Sequence, residues 1–145
     1  MTVPALGDSP DVSNTFPIKT AHKKSTTSNL QILYTEFANR HFVTISEYGK
    51  IGSLLEATLD VTPHPTPNPT ISTKALLGPP QDPLSHVYAT HILSQIHATR
   101  PNDTRPLLLG LALKKSRRDE DVDVEQVDRQ VFEEVIQLCR DVGVW

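Results

Sequence analysis

The chain has 145 residues, 14 Lys and Arg against 17 Asp and Glu, a net charge of −3, 37% hydrophobic residues and 12 prolines. That length fits one domain. The charge balance excludes a strongly basic nucleic-acid binder, and a lone cysteine, Cys139, excludes an intramolecular disulfide framework or a multi-cysteine zinc site.

Residues 1–15 are rich in Gly, Ser, Asp, Asn and Pro, too polar to offset the entropy of ordering, and read as a flexible tail. The remainder, 16–145, reads as a single α+β domain. Phe16 to Lys24 is a weak first strand that Pro17 confines to an edge or a strand start. Leu30 to Phe37 and His41 to Tyr48 are rich in aromatic and β-branched residues and read as strands. Gly49-Lys50-Ile51-Gly52 is a turn, and Ser53 to Val61 a further strand. The short gaps imply antiparallel hairpins, because a parallel return needs a crossover of about a dozen residues or more. Prolines at 63, 65, 67 and 69 make 62–69 a stiff extended loop. Thr70 to Leu77 is the next strand.

Asp82-Pro83 opens a helix, with Asp as the cap and Pro at the first helical position. It runs to about Thr99 and presents Leu84, Tyr88, Ala89, Ile92, Leu93 and Ile96 as an apolar arc. Pro106 to Lys114 is a near-continuous apolar run and reads as a central strand. Residues 114–123 form a charged loop. Val124 to Val142 is a second helix, with apolar residues at steps of three and four and Gly143 suited to a left-handed cap. The expected fold is an antiparallel sheet of about six strands with two helices on one face. Both parities of the strands carry apolar side chains: Val43 and Ile45 alternate with Phe42 and Tyr48, and the odd-numbered leucines 107 to 113 with Leu108 and Ala112. The residues leave open which parity meets the helices. Either way the helices leave one semi-apolar face, the mark of a protein interface unless the tail or the proline-rich loop folds over it. Phe42, Thr44, Tyr48, Leu54 and Leu108 are the candidate interface residues for sheet-to-sheet dimerisation.

Residues with catalytic potential do not assemble into a site. Gly49-Lys50-Ile51-Gly52 lacks the spacing of a phosphate loop. His86, His91 and His97 share a helix, but His86 and His91, five apart, diverge by about 140°, and His86 and His97, eleven apart, lie roughly 16 Å apart along the axis, so neither pair chelates one ion. Cys139 lies on an apolar stripe and reads as a packed hydrophobe. No catalytic residue, metal ligand or cofactor is expected. No stretch of about 18 apolar residues spans a membrane, and residues 1–10 lack the basic start and apolar core of a secretory signal. The expectation is a soluble protein of the cytoplasm with access to the nucleus, binding neither nucleic acid nor membrane.

Tyr48-Gly49-Lys50-Ile51-Gly52, Ser72-Thr73-Lys74-Ala75-Leu76-Leu77-Gly78, Asp82-Pro83-Leu84-Ser85-His86-Val87, Val135-Ile136-Gln137-Leu138-Cys139 and the terminal Val144-Trp145 occur in this order. Together they resemble the proteasome assembly chaperone 3 family, over about Ile18 to Trp145. The resemblance implies a small α+β protein that pairs with a proteasome assembly chaperone 4-like partner or with itself. It implies a non-enzymatic role in building the α-ring of the proteasome core particle, through contact with an α-subunit, chiefly the fifth. The tail, the charged loop and Asp141-Val142-Gly143 depart from the family pattern. Fold analogy alone supplies an alternative, a longin-like or roadblock-like adaptor in trafficking.

Overall fold

The computed structural model describes residues 18–60, 69–79, 82–114 and 124–145. The expected tail, most of the proline-rich loop and nearly all of the charged loop lie outside these residues. Six strands form one sheet: β1 (Lys19–Lys24), β2 (Gln31–Glu36), β3 (His41–Ser46), β4 (Ser53–Leu59), β5 (Ile71–Leu77) and β6 (Leu107–Ala112). Two helices accompany it, α1 (Pro83–Thr99) and α2 (Val124–Asp141). The strand order is β1-β2-β3-β6-β4-β5.

The sheet is mixed rather than antiparallel throughout. β3 and β6 run parallel, with Val43 opposite Leu109 and Thr44 opposite Gly110, while every other pairing is antiparallel. The segment Glu47–Gly52 is therefore not a tight hairpin turn. β6 inserts between β3 and β4, so the linker crosses two strand spacings, about 10 Å in all. Its ends are tied to β6: the Glu47 amide donates to the Ala112 carbonyl (2.9 Å) and the Gly52 amide to the Leu111 carbonyl (3.2 Å). The apolar run of β6 explains the insertion, since a strand with oily side chains on both faces loses most by standing at an edge.

The helices share one face, over Ile32 and Tyr34 of β2, Val43 and Ile45 of β3, Ala57 of β4, and Leu107, Leu109 and Leu111 of β6. α1 contributes Tyr88, Ala89, Ile92, Leu93 and Ile96, and α2 contributes Val135, Leu138 and Cys139. The expected α1 arc is corrected at its first turn. Leu84 is 41% exposed, and Ser85 is buried in its place, its hydroxyl 3.3 Å from that of Ser53. Asp82 stands at the cap position, but its carboxylate accepts from the Ser85 hydroxyl (2.5 Å) and caps no backbone amide.

α2 ends as its glycine demands. Gly143 has φ +77°, its amide donates to the Arg140 carbonyl (3.1 Å), and the Val144 amide donates to the Cys139 carbonyl (3.0 Å). This paired closure turns Val144 back into the core, where it is fully buried. The Arg100 guanidinium donates to the Val144 carbonyl at 2.6 Å, tying the chain end to the end of α1.

Candidate functional site

Strand parity assigns the other face. Since Val43, Ile45, Leu107 and Leu109 turn to the helices, Phe42, Thr44, Leu54 and Leu108 point away, each of them half-buried. The register sets them side by side. Phe42 stands opposite Leu108 on β6, Leu108 opposite Glu56 on β4, and Thr44 opposite Gly110, which faces Leu54. Leu33 of β2 joins the row opposite Thr44. Four of the five candidate interface residues thus lie on one continuous strip across the centre of the sheet. The fifth, Tyr48, does not: it stands in the linker beyond β3, 54% exposed, with the ammonium groups of Lys50 and Lys114 at 5.8 and 6.0 Å from its ring centre.

The linker itself shapes the strip. The buried Ser46 hydroxyl accepts the amides of Tyr48 (3.1 Å) and Lys50 (3.0 Å) and donates to the Lys50 carbonyl (2.8 Å). Gly49 takes φ +69° to complete this bend. The fold-back lays Ile51 onto Gly110, where a Cβ would come within 3.2 Å of both Ile51 γ-carbons. A groove of about 340 Å³ opens between Ile51 and the sheet, lined by Leu33, Phe42, Thr44 and Lys50 among others. Sequence reasoning missed Ile51 as a wall of this site, and the available signal was one apolar residue in an otherwise polar turn. Alternation places Leu33 on the face opposite Ile32 and Tyr34, but Leu33 is not among the candidate interface residues.

The chemistry of the charged groups is structural. At the edge of the helix-covered face, the Tyr34 hydroxyl donates to His41 Nδ1 (2.8 Å), and His41 Nε2 donates to Asp103 (2.9 Å). Arg105 binds Asp103, Glu36 (2.6 Å) and the Phe37 carbonyl (2.7 Å). Burial holds His41 below its ordinary pKa despite the Asp103 charge, so the imidazole is neutral with its proton on Nε2. The Arg105 hydrogen bonds hold the Asp103 carboxyl well below the carboxylate range. His41 is fully buried with both nitrogens occupied, which leaves no room for a substrate. Cys139 is likewise fully buried, and burial pushes its thiol up to about 12, so no thiolate forms near neutrality. The helix histidines stay apart: His86 Nδ1 lies 2.6 Å from the Thr73 hydroxyl and His91 packs edge-on against Phe132. No cluster of metal-ligating side chains occurs among the described residues.

Six strands backed on one face by two helices, with an apolar strip on the other, define a two-layer α+β protein whose candidate site is a surface rather than a cleft. Residues 43–134 match the family model for proteasome assembly chaperone 3, and the chain belongs to that family. Over 115 residues it is 31% identical to proteasome assembly chaperone 3 of Bos taurus and 29% identical to that of Mus musculus, in each case covering 79% of this chain and 83% of the relative. The chain also resembles one from a crystal structure of a chaperone complex for yeast 20S proteasome assembly, with TM-score 0.47 and 15% identity over 80% of this chain and 96% of that one.

Proposed function

We propose that the protein is a non-enzymatic chaperone of proteasome core-particle assembly, working in the cytoplasm and nucleus as half of a dimer. Its partner is a proteasome assembly chaperone 4-like chain or a second copy of itself. The pair holds one α-subunit, the fifth, while the α-ring forms, and it hydrolyses nothing. Family membership supports the role, and the observation that carries the pairing is the strip of Leu33, Phe42, Leu54 and Leu108 left uncovered by the helices.

The magnitudes favour pairing. A standard interface removes about 800 Å² per partner, and if half of that is apolar, the gross burial is about 10 kcal/mol per side at about 25 cal/mol per Å². Loss of translational and rotational freedom takes much of this back, leaving a contact firm enough to form and weak enough to release. Specificity for one α-subunit is then a difference in affinity among neighbouring subunits. Affinity capture of the tagged protein from cell extract, followed by mass measurement of the native complex, tests the proposal. Recovery with a second small chaperone or a second copy, and with a proteasome α-subunit, is expected. Recovery of a monomer without either refutes it.

A further inference from the structure

The turn between β1 and β2 reads Lys23-Lys24-Ser25-Thr26-Thr27-Ser28. Three of its hydroxyls converge on one carboxylate oxygen of α2: Ser25, Thr27 (3.1 Å) and Ser28 (2.7 Å) all donate to Glu134 Oε1. Ser25 Oγ also accepts the amides of Thr27 (3.2 Å) and Ser28 (3.3 Å), which shapes the turn around that contact. Burial raises the Glu134 carboxyl, but the three hydroxyls outweigh it and hold the group below its ordinary pKa, so it is anionic. A second link lies alongside, between the Lys23 ammonium and Asp141 (2.7 Å). The two latches fasten the β1–β2 hairpin to α2. β1 needs them, because all but one of its residues are exposed. Thr26 takes no part in the Glu134 contact and faces solvent.

We infer that Thr26 is a phosphorylation site for a serine/threonine kinase that selects basic residues ahead of its target, and that the phosphate releases β1 from α2. Lys23 and Lys24 stand three and two residues before Thr26, the charge pattern an acidic substrate cleft reads. The Thr26 hydroxyl oxygen attacks the γ-phosphorus of ATP. The new P–O bond forms as the β–γ anhydride breaks, ADP leaves, and the hydroxyl proton passes to the base of the kinase. The product carries a charge of about −1.5 to −2 near pH 7. It stands in sequence between Ser25 and Thr27, both of which hold Glu134, so it adds a like charge next to that contact and repels the carboxylate. It also competes with Asp141 for Lys23. Both latches weaken together and β1 frays from the sheet edge. His22 of β1 lines the groove beneath Ile51, so the state of the latch reaches the uncovered face. Only this last consequence rests on the proposed function.

The test uses the full folded chain, Mg-ATP and the purified catalytic domain of a kinase that prefers basic residues at those two positions. Fragmentation mass spectrometry locates the phosphate, and amide hydrogen exchange reads β1. The expected result is one phosphate on Thr26, slower addition in Lys24→Ala, none at that position in Thr26→Ala, and β1 amides exchanging about tenfold faster after modification. In Glu134→Gln the phosphate should accelerate β1 exchange markedly less, since the repelling charge is gone. Failure to modify Thr26, modification with unchanged β1 exchange, or equal acceleration in Glu134→Gln each overturns the inference. None of these readouts depends on a partner, so failure of the dimer proposal is scored separately.

Discussion

Replacing Leu108 by lysine should separate folding from pairing. Leu108 is half-buried at the centre of the uncovered face, between Phe42 on β3 and Glu56 on β4. In the lone chain the new ammonium can reach water and stands directly opposite the Glu56 carboxylate, which Arg40 already approaches at 3.8 Å. Opposite charges across strands contribute about 0.2–1 kcal/mol, and the partial loss of leucine burial costs about 1–2 kcal/mol. The fold should therefore weaken by only about 1 kcal/mol, a few degrees in melting temperature. In a sheet-to-sheet dimer the ammonium and the Glu56 carboxylate both leave water, a loss of several kcal/mol per ion that their attraction offsets only in part, for a net cost of about 3–5 kcal/mol. The dissociation constant should then rise about a hundred-fold to a few thousand-fold, and further if both copies carry the change, because each 1.4 kcal/mol is about tenfold. Sedimentation equilibrium across a concentration series measures the dimer, and a thermal melt of the dilute chain measures the fold. Leu108→Met, which keeps volume and apolarity, is the control and should remain dimeric. A Leu108→Lys chain that dimerises as tightly as the parent would refute the assignment of this face to pairing.

Three further outcomes follow from the geometry. Ser46→Ala removes three hydrogen bonds that bend the Glu47–Gly52 linker and should lower stability by about 1–2 kcal/mol, with faster exchange at the Tyr48 and Lys50 amides. Unchanged exchange at those amides would show that another contact holds Ile51 over Gly110. Stability should fall on acidification in two stages. His41 has a lowered pKa when folded, so the unfolded chain binds its proton first, and stability is lost as pH drops below the ordinary value of 6.5. Asp103 is also lowered, and its contribution, present above its ordinary value of 3.8, is lost as pH falls further. Chemical denaturation as a function of pH measures both stages, and His41→Gln should reduce the first, to which His91, also lowered by burial, contributes; an unaltered profile would contradict the buried neutral imidazole of His41. The Cys139 thiol should resist alkylation in the native protein and react promptly once unfolded, because it is fully buried with its pKa pushed up to about 12. Rapid native labelling would mean that α2 opens readily.

The elements themselves were legible along the chain. Alternating β-branched and aromatic residues located β2 and β3, the Asp-Pro start and apolar steps located α1, and steps of three and four followed by Gly143 located α2. Each of these signals is local, because backbone period and capping are decided within a few residues. The apolar character of the face opposite the helices was also legible, since apolar side chains occur on both parities of the strands. The sequence by itself therefore determined an α+β fold with an oily strip left over, and the ordered segments carried the family.

Three features were decided only by the tertiary structure. One was the insertion of β6 between β3 and β4, which turned an expected hairpin into a linker straddling another strand. Another was the parity that sends Val43 inward and Phe42 outward, together with the seating of Ile51 on Gly110. The last was the joining of Tyr34, His41 and Asp103, the latter two 62 residues apart in the chain. The physical reason is common to all three. A strand's pattern states that one side must be dry, but its backbone hydrogen bonds are satisfied equally well by any neighbour of suitable length. The choice of neighbour depends on which arrangement buries the most apolar surface across the whole molecule, a sum that no short segment contains.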